Sequence, residues 1–262
     1  MSEFIALIHN ENIKIYSRIR TWVMLFILAM MSVLLPALLY FTSESASSLM
    51  GLWENFQMTV SVAFFLNTIF VVVVASDSVA GEFTWGTIKL LLIRPWSRSK
   101  ILLSKYISMV LFSLLSTAVL VAFGFGASLI FSSSSSDAIS SITIWSPAEY
   151  SFLDLLCRYV ELFLTAALAF MVSSVFRASG LAIGLSLFIM FAKNIFTAIF
   201  SPERFEWAQY LIFTHMDLRG YLLSDTGPGG ATIGFSIAVL AVYYIIIMAI
   251  SWIVFRKRDV AA

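Results

Sequence analysis

Residues 76–100 read SDSVAGEFTWGTIKLLLIRPWSRSK, a long charge-bearing segment between two strongly apolar runs. Val71–Val74 closes the run before it, and Ile101 opens the run after it. Asp77 or Ser78 offers the side-chain acceptor that a helix start needs, and Glu82 then falls near the positive end of the helix dipole. Pro95 has no backbone donor and restricts Arg94, so it stops that helix. Phe83, Thr87, Leu90, Leu91 and Arg94 share one side at helical spacing. The stretch predicts a short amphipathic helix over 77–94 lying beside a membrane, with Ser97 or Ser99 capping the next span.

Composition agrees with that reading. Sixty per cent of the 262 residues are apolar, mean hydropathy is +0.95 and only 12% are charged. Such a chain must turn most of its surface to hydrocarbon, which excludes the soluble classes and predicts an all-α polytopic membrane protein. The basic residues stand at span ends instead of forming a patch, so the net charge of +1 does not point to nucleic acid. Cys157 is alone, which rules out an internal disulfide and a thiol metal cluster. The two histidines, His9 and His215, lie far apart, and no metal site is expected.

Taken in order, residues 1–20 predict an interfacial helix and not a cleaved signal, because Glu3 and Glu11 interrupt the basic start. Phe4, Ile8, Ile15, Ile19 and Trp22 form its apolar side, with Asn10, Glu11, Lys14 and Arg18 elsewhere. The alternative is a plain extension of span one. Spans are expected near 21–41, kinked by Pro36, then 58–75 and 101–131, the last bearing Gly124 and Gly126. Ser132–Ser136 is a serine run without a visible site. Ser146-Pro147-Ala148-Glu149 is a capping box with proline at the first helical position, so helix four starts at Pro147. At ~1.5 Å per residue it outreaches the ~30 Å hydrocarbon core. Asp154, Arg158 and Glu161 fall on its excess, either as an ion-pair ladder or as the wall of a polar vestibule. Spans five and six are expected near 180–200 and 231–255, with Gly180 and Gly184 as a small-residue packing pair. The aromatic stretch 201–230 between them predicts an outer interfacial loop. Twelve of the sixteen Lys and Arg fall on one side of this six-span arrangement, which sets both termini inside.

No phosphate-cradling Gly-x-x-x-x-Gly-Lys-Ser/Thr and no His-Glu-x-x-His occurs. An intramembrane enzyme needs buried acid and base groups that the spans barely supply, so no catalytic residue is assigned. Lys193, followed by Asn194, either snorkels to the outer headgroups or lines an outward cavity. Asn67 either faces the same path or bonds a neighbouring helix. These three are the candidate substrate-path residues.

The central stretch also carries a resemblance. Gly81-Glu82-Phe83, Gly86-Thr87, Leu90-Leu91, Arg94-Pro95, Ser97-Arg98 and Lys105, in that order, resemble the cytoplasmic coupling segment of ABC-2-type ABC transporter permeases. The small single-domain exporters of the bacitracin-resistance and sodium-efflux types are the nearest in layout. Trp96 stands where a smaller aliphatic residue is more usual. The resemblance implies one transmembrane domain over 1–262, in a bacterial plasma membrane with both termini cytoplasmic. It further implies a transport subunit that is no enzyme and binds no cofactor itself, with ATP and Mg on a separate ABC ATPase present in two copies. A second permease chain, identical or homologous, completes the path, and membrane lipid surrounds it. Glu82 and Arg94 are then anchors to the ATPase, Gly86 permits close approach, and Thr87 and Leu91 pack, with Phe83, Leu90, Pro95, Ser97 and Arg98 completing the surface. The implied function is export of a hydrophobic peptide, antibiotic or lipid-like substrate. Sodium efflux, or a scaffold or sensor that transports nothing, is the alternative.

Overall fold

The computed structural model describes residues 2–42, 50–87, 96–132, 144–202, 204–224 and 226–257. Among these the chain is helical and contains no strand. The α-helices are α1 (Ser2–Tyr16), α2 (Ile19–Thr42), α3 (Leu52–Thr84), α4 (Arg98–Phe131), α5 (Pro147–Val175), α6 (Ser179–Ile199), the single turn α7 (Ile212–His215) and α8 (Ile233–Lys257). Six of them, all but α1 and α7, are long and apolar enough to cross a bilayer, as expected.

Helix α3 is the hub and packs against α2, α4, α5 and α6. Small or β-branched residues, Ala63, Val71, Ala75 and Val79, are buried along it and let its neighbours come close. A Cβ built on Gly124 of α4 would meet Thr59 Cγ2 of α3 at 3.4 Å, so this glycine faces the hub helix at van der Waals range. Phe112 and Phe170 fill the centre, and Tyr106 sets its ring edge against Phe170 at 5.3 Å. Polar groups caught in this interior bond across helices: Tyr106 to Tyr244 at 3.0 Å, Ser113 to Tyr159 at 3.0 Å. The outer faces of α2, α6 and α8 expose Phe26, Phe188 and Ile245, a surface suited to hydrocarbon.

The structure corrects the decisive stretch. No helix begins at Asp77; α3 runs without interruption for 33 residues, roughly 50 Å, to Thr84. Neither Gly81 nor the serines break it, because Ser76 and Ser78 bond back to the carbonyls of Val72 and Ala75 instead of capping forward. The second half of the predicted 77–94 helix, with Leu90, Leu91, Arg94 and Pro95, lies outside the described residues. Glu82 therefore sits at the negative end of a helix, not the positive one. Gly86 ends the helix: its φ is +69° and its N–H bonds the Phe83 carbonyl at 3.2 Å. This left-handed backbone by itself calls for glycine, and a Cβ there would meet no described residue within 4 Å. Gly86→Ala should then lower thermal stability by about 1 kcal/mol, the cost of forcing a Cβ into that region. Gly180→Ala, in α6 and equally open, should not; equal melting curves for the two variants would refute the turn.

Other expectations divide. Ser97 caps α4 by accepting from the Lys100 N–H at 3.4 Å, and the Ser146/Glu149 capping box starts α5 at Pro147. The first twenty residues are not one helix: the chain breaks at Ser17-Arg18 between α1 and α2. Ile19 and Trp22 are exposed, whereas Glu11, placed on the polar side, is 5% exposed and faces α4 with Leu7. A Cβ added at Gly180 or Gly184 would meet no described residue of another helix within 4 Å. Between α6 and α8 the described residues form short helical turns that bury Ile212, Met216 and Leu218 against α5 and α8.

Candidate functional site

Two polar regions stand at opposite ends of the bundle. The first surrounds the end of α3. Lys105 of α4 is only 2% exposed, and its Nζ bonds Glu11 Oε2 at 2.7 Å and Glu82 Oε1 at 3.0 Å. Lys14 Nζ reaches the same two acids, Glu11 Oε1 at 2.7 Å and Glu82 Oε1 at 2.8 Å. Two ammonium groups and two carboxylates thus alternate in a closed ring that joins α1, α3 and α4. Burial pulls the Lys14 pKa down, but its bonds and charge attraction to Glu11 and Glu82 outweigh that, leaving it above the ordinary 10.5. One turn earlier, Arg18 and Arg20 converge on Asp77 Oδ2 across the α1–α2 elbow.

Glu82 is therefore not a free anchor. Its carboxylate faces inward to the lysines and to the Thr87 hydroxyl. Phe83 packs partly buried against the core, and Arg98 Nη1 donates to the Arg256 carbonyl at 3.0 Å, tying α4 to the end of α8. What projects at this end is Trp85, 76% exposed, with Gly86 and Thr87. Trp85 escaped sequence reasoning because it was placed inside a helix, off the apolar side. A cavity of about 900 Å³ opens beside it, bounded by Arg18, Arg20, Trp96 and the Ser179-Gly180 start of α6.

The second region lies where α3 and α5 begin. Arg158 Nε bonds Asp154 at 2.7 Å, the expected i,i+4 pair, and its Nη2 bonds Ser61 of α3 at 2.8 Å. Glu161 leaves the ladder and pairs with Lys193 of α6. The Lys193 side chain is 15% exposed and lines a cavity of about 690 Å³. Asn194 lines the same cavity. Asn67 does not; it is fully buried and donates to Thr117 of α4 at 3.0 Å, the interhelical alternative. Arg219 closes the cavity's far side, bidentate to Asp217 at 2.8 and 2.6 Å. Burial raises the Asp217 carboxyl, yet the bonds from Arg219 prevail and hold it below the ordinary value. A lowered acid stabilises fully above its unfolded pKa, so this contribution is lost only as pH falls into the acid range. Sequence spacing had no means of finding Asp217 and Arg219, which the turns after α7 deliver.

A family model described as a protein of unknown function (DUF2705) matches residues 14–261. The uncharacterized protein YhcI of Bacillus subtilis (strain 168) is 37% identical over 205 residues, 75% of this chain and 65% of its own length. The chain thus spans just under two thirds of that relative. The uncharacterized membrane protein YdbK of the same strain is 29% identical over 254 residues, 94% of this chain and 99% of its own. The probable ABC transporter permease protein NosY of Stutzerimonas stutzeri is 28% identical over 218 residues, 76% of this chain and 78% of its own.

Proposed function

We propose that this chain, which belongs to the DUF2705 family, is the membrane permease subunit of an ATP-driven ABC exporter of the ABC-2 type. It is a multi-pass membrane protein with a distant likeness to a probable ABC permease, and the proposal extends that likeness to mechanism. The observation that carries it is the ring of Glu11, Lys14, Glu82 and Lys105, closed on the buried Lys105, behind the exposed Trp85–Thr87 turn. A soluble partner pressing on that turn pushes on α3, and the ring passes the load to α1 and α4 as one body. Two ATPase copies closing on ATP would then drive two such chains between two arrangements of their spans. ATP and Mg stay on the ATPase, and the membrane is the bacterial plasma membrane with both termini cytoplasmic. The cargo is a hydrophobic peptide, an antibiotic or a lipid-like molecule. Sodium is not favoured, because the buried carboxylates Glu11, Asp77 and Asp154 are each held by lysine or arginine.

The test is co-reconstitution with candidate ABC ATPases from the same organism, measuring ATP hydrolysis against a panel of amphiphilic peptides. Stimulation by substrate is the expected result. Trp85→Ala should weaken the ATPase contact about tenfold, as loss of an exposed aromatic anchor does, with membrane abundance unchanged. An ATPase that binds but drives no substrate movement would make the chain a scaffold or sensor. An ATPase that ignores both the chain and the Trp85 substitution sinks the permease reading.

A further inference from the structure

We propose that the cavity around Glu161 and Lys193 is a binding site for an amphiphile with a zwitterionic head. Calling that ligand cargo rests on the permease reading; the site itself rests on its own geometry. Its volume, about 690 Å³, is that of a small-molecule pocket. One wall is apolar, formed by Phe64, Phe65, Met190 and Phe213. The other carries both signs: Arg158, Lys193 and Arg219 against Glu161 and Asp217.

Stability alone is a poor reason for these charges. An ion pair drawn out of water usually does no better than well-packed apolar residues. The pairs also come from separate parts of the fold. Glu161 stands on α5, Lys193 on α6, and Asp217 with Arg219 in the turns after α7. Each pair turns part of its surface to the cavity, with Lys193 15% and Glu161 25% exposed.

A purely anionic head entering here meets Glu161 and Asp217, and a purely cationic one meets three cations. A zwitterion avoids both. Its phosphate or carboxylate takes over Lys193, with Arg158 lining the same cavity and keeping Asp154, while its ammonium takes over Glu161. Each protein charge exchanges one partner for another and none is left bare, which is the condition for desolvating it cheaply. The hydrocarbon part lies along Phe64 and Phe65. The small-molecule head of a phospholipid and the paired termini of a short apolar peptide share this chemistry.

The experiment uses the purified full chain in maltoside micelles, without any ATPase, and equilibrium dialysis of three probes of equal alkyl length. These are an alkylphosphocholine, an alkyl phosphate and an alkyltrimethylammonium. The phosphocholine should bind best. The double variant Glu161→Gln/Lys193→Gln, neutral overall and close in volume, should weaken it about tenfold, the loss expected for charged hydrogen bonds. Glu161→Gln alone should move preference toward the alkyl phosphate, and Lys193→Gln alone toward the trimethylammonium. A merely structural ion pair would not reverse head preference. Size-exclusion profiles check folding, and the charge-neutral double variant decides the question if a single variant aggregates. A short peptide with free termini, competing for the phosphocholine only when neither end is blocked, would identify peptide as the source. Competition by phospholipid alone would identify lipid. Equal binding of all three heads, or an unchanged double variant, overturns the site while leaving ATPase coupling intact. Head-selective binding in a chain that no ATPase recognises keeps the site and removes the permease.

Discussion

Lys105→Met is expected to destabilise the protein by about 3–5 kcal/mol, because it strips one partner from a buried charge set and leaves two carboxylates facing one lysine. Lys105 is almost wholly buried and contributes two of the four bonds in the ring. Its methionine replacement conserves the stem that packs in α4 but not the charge. The readout is the midpoint of thermal aggregation, followed by size exclusion, in mild detergent. Adding Glu11→Gln to the same chain should recover most of the loss, since Glu82 and Lys14 then balance. That recovery separates charge imbalance from simple loss of packing. Raising pH should not reproduce the effect at neutral values. Lys14 sits above its ordinary 10.5, so its contribution is complete below that pH and fades only as pH climbs through the raised value. A Lys105→Met protein as stable as the parent would mean that α1 is held by Leu7 and the Ser108–Ile8 bond alone.

His215→Ala should cost about 3 kcal/mol, combining a cavity with two stranded hydrogen-bonding groups. The ring is 1% exposed. Nε2 donates to the Gln209 carbonyl at 2.6 Å, which leaves Nδ1 to accept from Ser236 Oγ of α8, also at 2.6 Å. Tyr221 OH lies 2.7 Å from the same Ser236 oxygen, so one imidazole ties the turns after α6 to α8. The loss should therefore be local first: limited proteolysis within 204–224 should accelerate before the spans melt. Ser236→Ala, which leaves the Gln209 bond in place, should cost only about 1 kcal/mol. Proteolysis unchanged in His215→Ala would show that Ile212, Met216 and Leu218 hold the segment without it.

Much of this protein was legible in one dimension. Hydrocarbon tolerates only backbones whose polar groups are satisfied internally, and apolar runs as long as these do so as helices, so composition and run length lead to six spans. The start of α5 was equally readable, because a capping box acts within four residues. Ser97 was one of the two capping candidates at the start of α4, and the structure selects it. Failure began where the decisive partner is remote in sequence. Asp77 and Glu82 resemble helix-start residues, and only the arrival of Arg18, Arg20, Lys14 and Lys105 lets α3 continue past them with both acids neutralised. Gly86 is informative in sequence but does not announce its φ of +69°, which only the traced backbone shows. The outer cavity is the clearest division. Sequence placed Lys193 and Glu161 in separate spans as a lone charge and a ladder end. Ladder rules reach three or four residues along one helix; a 32-residue pairing exists only because α3 brings α5 and α6 against its own sides.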